Sequence, residues 1–140
     1  MTDQEYNSLI ASLALKFAQA VALAEGYYVA GSLPNRINNP GDLELGDRGY
    51  GVEQQKTIYF TAEDGWDALE RECTAILTGS SHVYSVDWTL SQVASKWTGG
   101  DNDGAWVKIV VEKLNLDPMT TIADWVKGVA DADVNNSQQT

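Results

Sequence analysis

Apolar side chains at Tyr6, Leu9, Ile10, Leu13, Phe17, Val21 and Ala24 recur three and four positions apart, the spacing of one helix face. Thr2, with Glu5 three residues on, supplies a capping-box start, and Gly26 supplies a left-handed stop. Alanines at 11, 14, 18, 20 and 22 raise helix propensity and allow close neighbours. The pattern predicts a largely buried helix of roughly six turns, around which the remaining chain must pack. Directly after the apolar stripe comes Glu25. The partial negative charge of a helix C-terminus and apolar surroundings both disfavour a carboxylate there and raise its pKa. A carboxyl that holds its proton near neutral pH can act as a general acid. The residues alone leave open whether Glu25 is that acid or a solvated glutamate at a frayed helix end.

From Tyr27 to Gly41 the breakers Gly31, Pro34 and Pro40 predict loop. Asp42–Leu45 reads as a short strand and Thr57–Phe60 as a β-favouring run, joined irregularly through Gly46–Gly51. The expected product is a sheet of two or three strands that leans on helices. Thr61 and Asp64 predict a helix start ahead of an apolar face formed by Trp66, Leu69, Cys73, Ile76 and Leu77, with Gly79 as its end. Thr89 predicts a short helix with Leu90, Val93 and Trp97 inward, and Thr98–Gly104 is a turn cluster. Asp103 is placed to cap a helix carrying Trp106, Ile109, Val110 and Leu114, and Thr120 or Thr121 starts a last one through Ile122, Trp125, Val126 and Val129. The fold class is α+β, mainly α, with the small antiparallel sheet between the first and second long helices. Residues 1–130 form one domain, and the polar segment 131–140 is expected to be disordered.

With 140 residues, 44% of them hydrophobic, the chain can bury a core without disulfides or metals. Cys73 has no partner for an internal disulfide, and His82 is the only histidine, so no metal-ligand cluster and no cofactor are expected. Twenty acidic against nine basic residues argue against nucleic acid, whose binding depends on neutralising phosphates, and against an anionic membrane surface. No unbroken run of about 18 apolar residues occurs, so no membrane insertion is expected. Asp3 and Glu5 near the start, with no Lys or Arg before Lys16, argue against a signal peptide. Synthesis in the cytoplasm and delivery by other means are therefore expected.

A long helix ending in Glu, a small β element and then a group of helices is the layout of the lysozyme superfamily. The segment EGYYVAGSLPNRINNPGDL, the later YFTAEDGWDAL and the segment KWTGGDNDGAW resemble the lysozyme-like domains of phage and bacterial muralytic proteins, over roughly Ala24 to Leu116. Those domains carry a helix-ending Glu-Gly-aromatic, an Asn-Asn-Pro-Gly turn, a strand and an aromatic-rich helix. The resemblance implies cleavage of the β-1,4 bond between N-acetylmuramic acid and N-acetylglucosamine in peptidoglycan, by a lysozyme or a lytic transglycosylase. Glu25 matches the catalytic acid. Asp42, Glu44 and Asp64 are each open as a second carboxylate; Asp42 stands where the related turns often have Asn. Members that rely on one Glu use the sugar's own acetamido or 6-hydroxyl group to intercept the cation, which leaves hydrolysis and transglycosylation both open.

For substrate binding, Asn38 and Asn39 either hydrogen-bond acetamido groups or serve turn geometry ahead of Pro40. Tyr28, Tyr59 and Trp97 either stack on sugar faces or pack in the core, and Asn102 lies in the turn that matches the family's Asp-Asn segment. Arg36 either meets a peptide-stem carboxylate or pairs with a nearby acid. The expected partner is the peptidoglycan glycan strand, met by a monomer acting alone or within a phage virion or larger delivery assembly. The rival readings are a non-catalytic virion or secretion-system module that keeps such a fold, and an enzyme acting on chitooligosaccharides.

Overall fold

The computed structural model describes residues 1–44, 49 and 51–139. Its helices are α1 (Asp3–Ala24), α2 (Leu33–Arg36), α3 (Ala62–Thr78), α4 (Leu90–Thr98), α5 (Asp103–Leu114) and α6 (Ile122–Gln139); its strands are β1 (Gly51–Glu53) and β2 (Lys56–Ile58). This is an α+β fold, mainly α, with the sheet between the first and second long helices.

Helix α1 is the central element. The Thr2 hydroxyl accepts the Glu5 amide at 3.0 Å, as the capping pattern requires, and α1 packs against α3 and α5 with a lighter contact to α6. Phe17, Ala18, Ala20, Val21 and Ala22 have no exposure at all, so the small residues do bring neighbouring helices close. Although polar residues interrupt its apolar run, α1 is by length and composition long enough and apolar enough to cross a membrane; here its apolar face is the core of the domain. Leu69, Cys73 and Ile76 of α3, Val110 of α5 and Ile122 of α6 complete that core.

Several local expectations change; one is the start of α5, where Asn102 at φ 58 is the N-cap and Asp103, expected to cap, is the first helical residue. The 27–41 loop contains the short helix α2, capped by the Ser32 hydroxyl on the Asn35 amide, with Pro34 in its first turn, where the missing amide hydrogen is harmless. Asp42–Glu44 does not form a strand, because Asp42 adopts φ 53, a left-handed conformation incompatible with extended pairing; Leu45 lies outside the described residues. The sheet is instead the antiparallel hairpin of β1 and β2, paired Gly51 to Ile58 and Glu53 to Lys56. Of the Gly46–Gly51 connection, Gly46, Asp47, Arg48 and Tyr50 also lie outside the described residues, and Gly51 belongs to β1. Finally, α6 continues to Gln139 across the polar segment expected to be disordered, with a Lys127–Asp131 pair at 3.2 Å one turn apart on its surface.

The turn after α2 is clamped from within. Asn39 has no exposed surface; its amide nitrogen donates to the carbonyls of Leu43 and Thr57 and its oxygen accepts the Leu43 amide, all at 2.9 Å. The N-terminal turn of α3 lies so close to this segment that a Cβ at Gly65 would overlap the Asn38 carbonyl oxygen. That packing explains the glycine in EDGW.

Candidate active site

Glu25 occupies the C-cap of α1. Gly26 follows at φ 77, its amide reaching the Leu23 carbonyl at 3.2 Å while the Tyr27 amide reaches Ala22 at 3.0 Å. This is the Schellman arrangement, which ends the helix sharply and fixes the direction in which the last side chain leaves it. The Glu25 carboxyl turns into a cleft of about 360 Å³ between the end of α1, the Asp42–Glu44 segment with β2, and the α4–α5 corner. On its floor the Trp106 indole N–H donates to Glu25 Oε1 at 2.9 Å.

Across the cleft stand Asp42 and Glu44, both bound to the Lys56 ammonium, at 3.3 and 3.5 Å. Thr98, Asp101, Asn102 and Ala105 close the α4–α5 side. Burial pushes the Glu25 carboxyl up from 4.5 to about 7, and the Asp42 carboxylate pushes it the same way; the Trp106 hydrogen bond and the Lys56 ammonium pull it down by less. Glu25 therefore keeps its proton through mildly acidic pH and loses it close to neutrality. The arrangement offers a positioned proton donor facing two carboxylates and an ammonium.

No protein-family model, no curated protein and no solved structure matches this chain. The lysozyme-like resemblance thus stands on its short sequence motifs. What the site can do is argued from its own geometry.

A second chamber of about 710 Å³ continues the cleft past Trp97, sharing Asp42, Glu44, Lys56 and Trp97 with the first and adding Arg71, Glu72, Tyr84 and Lys96. Three aromatic rings run along this path. Tyr84 lies 5.9 Å from Trp97 and Trp97 lies 5.8 Å from Trp106, both pairs tilted. Burial pushes the Tyr84 phenol well above its ordinary range, with Glu72, Cys73 and Glu25 adding to the effect, so its hydroxyl stays protonated as a donor.

The expected site residues divide. Glu25, Asp42, Glu44, Trp97 and Asn102 meet in the cleft. Trp97 also spends its indole N–H on the Gly41 carbonyl at 2.9 Å, which ties α4 to the turn beside Asp42. Asn38 and Asn39 do not reach the cleft; both serve the turn, Asn38 at φ 55 with its side chain on the Tyr59 carbonyl at 3.2 Å. Tyr59 is 1% exposed and belongs to the interior, because its alternate position on the β run faces the core. Tyr28 is 57% exposed but sits outside the cleft, edge-on to Tyr27 at 5.3 Å and near Trp66 at 6.4 Å. Arg36 pairs with Glu53 at 3.3 Å, and Asp64 is an exposed first-turn residue of α3.

Three participants escaped the sequence reading. Trp106 is inward as expected, yet its polar edge meets Glu25. Tyr84 lies in an irregular loop without periodicity. Lys56 gave the only available signal, a cation at the start of the TIYF run, which composition alone cannot separate from a solvated surface charge. Among the described residues no group of three His, Cys, Asp or Glu side chains is disposed to hold a metal ion.

Proposed function

We propose that this chain is a peptidoglycan-cleaving glycosidase that breaks the β-1,4 bond between N-acetylmuramic acid and N-acetylglucosamine, with Glu25 as general acid and then general base. The observation that carries the reading is the environment of Glu25: a helix-terminal carboxyl, largely buried at an open cleft, held by Trp106 at 2.9 Å and raised to about 7. Glycoside cleavage requires an acid still protonated when it meets the glycosidic oxygen, and a surrounding able to support a developing oxocarbenium ion. Glu25 suits the first role, and the Asp42 and Glu44 carboxylates opposite suit the second. Asp42 is the better placed of the two, since it lines the cleft at 21% side-chain exposure against 66% for Glu44. The sequence motifs around Glu25, the NNPGDL turn and EDGW support the choice of substrate.

The test is clearing of a suspension of purified cell walls by the wild type and by Glu25→Gln. Loss of about 100-fold or more is the expected result for removal of a general acid. Equal clearing by a folded Glu25→Gln protein overturns the assignment, and wall binding with no clearing by the wild type favours a non-catalytic wall-binding module.

A further inference from the structure

We propose that Lys56 is a positioning residue of the cleft: its ammonium gathers Asp42 and Glu44 onto one wall and sets how strongly that wall opposes a negative charge on Glu25. The proposal rests on the reading of Glu25 as the acid.

Lys56 is the first residue of β2, directly across the hairpin from Glu53. In a free-standing hairpin that cross-strand pair would be its natural ion pair. Glu53 is instead bound to Arg36 at 3.3 Å, and Lys56 turns to Asp42 at 3.3 Å and Glu44 at 3.5 Å. The backbone beneath is held in register with those two acids. The Thr57 amide donates to the Leu43 carbonyl at 2.9 Å and the Thr57 hydroxyl to the Glu44 carbonyl at 3.1 Å. Lys56 is thus fixed beside them by its neighbour in sequence.

The charge count gives this pairing its consequence. One ammonium serves two carboxylates, so the wall keeps a net negative charge toward Glu25. Among the described residues the other ionisable groups facing Glu25 are Asp101 across the α4–α5 corner and Tyr84, whose hydroxyl carries no charge. Lys56 is, among the described residues, the one cation that lines the Glu25 chamber. Asp42 Oδ1 is buried with no hydrogen-bond partner among the described residues, so the Lys56 ammonium at Oδ2 is the side-chain contact that anchors this carboxyl on the wall. Asp42 and Lys56 are each only 21% exposed in their side chains, and water screens such a pair much less than a surface pair. Removing the ammonium leaves the wall with two uncompensated acids opposite the acid that must give up its proton.

The experiment is a carbon-13 NMR titration of the Glu25 carboxyl in the wild type, Lys56→Met, Lys56→Arg and Asp42→Asn, with thermal melts to verify folding. This readout does not depend on turnover. Lys56→Met should move the Glu25 midpoint upward by about half a pH unit or more, Asp42→Asn should move it downward, and Lys56→Arg should stay near the wild type. In kcat/KM the alkaline limb should move in the same order, whereas a merely structural role in the hairpin would change stability and leave the limb in place. An unchanged Glu25 midpoint in folded Lys56→Met, or an upward shift in Lys56→Arg equal to that of Lys56→Met, overturns the proposal. Equal cleavage by Glu25→Gln overturns the glycosidase reading instead. Should Lys56→Met not fold, the Asp42→Asn and Lys56→Arg shifts decide the matter by the same criteria.

Discussion

Glu25 stores its chemistry as a cost of ionisation. Its carboxyl titrates at about 7 in the folded chain against an ordinary 4.5. The folded state therefore holds the proton more tightly than the unfolded chain does. The associated stability is present below the unfolded value and is lost as pH rises through about 7. Glu25→Gln removes that loss while keeping an acceptor for the Trp106 indole. At pH 8 it should stabilise the fold by about 1 to 2 kcal/mol, allowing for the part of the group that water still screens. Near pH 4 the gain should vanish. Thermal melts at the two pH values check this, and a difference independent of pH would contradict it. Asn39 makes the opposite kind of contribution. The three hydrogen bonds of its buried side chain serve Leu43 and Thr57. Asn39→Ala would remove the acceptor of the Leu43 amide and one donor each from the Leu43 and Thr57 carbonyls, and should destabilise by about 3 kcal/mol in urea unfolding. A loss under about 0.5 kcal/mol, the range of ordinary surface substitutions, would show that the clamp is not needed. At this scale Glu25 was legible because a charged residue ends a long apolar stripe. Tyr59 and the Asn pair were not, because an aromatic or an amide suits both a sugar and a packed turn, and only tertiary contacts decide between them.

The elements were read best where local chemistry and packing agree. Thr2, Thr61 and Thr89 each cap the helix that follows, and Gly26, Gly79 and Gly99 each end one with positive φ. The β region was misread because Asp42 follows its turn tendency where a strand was expected, and because the hairpin tip uses glutamines, which do not advertise a turn. Asp42 is left-handed at φ 53, and the hairpin tip places Gln54 and Gln55 at φ 49 and 69. Both central residues of a two-residue hairpin loop with positive φ are the hallmark of a type I′ turn, for which Asn-Gly is the usual signal. Glutamine there costs about 1 kcal/mol or more per residue in backbone strain. Gln54→Asn with Gln55→Gly should therefore raise stability by about 1 kcal/mol and the melting temperature by about 3 to 5 °C, read by calorimetry. The same double substitution should leave the Glu25 titration unchanged, since it keeps Lys56 in register. A lower melting temperature would contradict the turn geometry. Gly65 tests the seam between elements. A methyl group there meets the Asn38 carbonyl, so Gly65→Ala should destabilise by about 2 kcal/mol or more despite the better helix propensity of alanine.

For the molecule as a whole, the order of elements, the central α1 and the α+β class followed from periodicity and caps. The cleft did not, because it joins Glu25 to Trp106 and Gly41 to Trp97 across 81 and 56 residues of chain. Pairings at such separation carry no local signature, which is why Trp106 and Lys56 emerged only once the helices were packed. The polar end of α6 was misjudged for a related reason: composition reports the lack of a burying face but not the helix that a packed first half can extend. The net charge of −11 disfavours approach to an anionic wall at long range. That repulsion is screened beyond about 8 Å at physiological salt, so the cleft's own charges govern the bound state. Wall cleavage should therefore speed up between low and moderate ionic strength, in a salt series followed by turbidity. The most direct measurement of the central claim is mass spectrometry of the material released when purified peptidoglycan is incubated with the wild type and with folded Glu25→Gln. The wild type should release muropeptides cut at the glycan bond, with reducing ends if water completes the reaction or 1,6-anhydro ends if the sugar does, and Glu25→Gln should release essentially none. Absence of glycan-cut fragments from the wild type, or the same fragments at the same rate from Glu25→Gln, would contradict it.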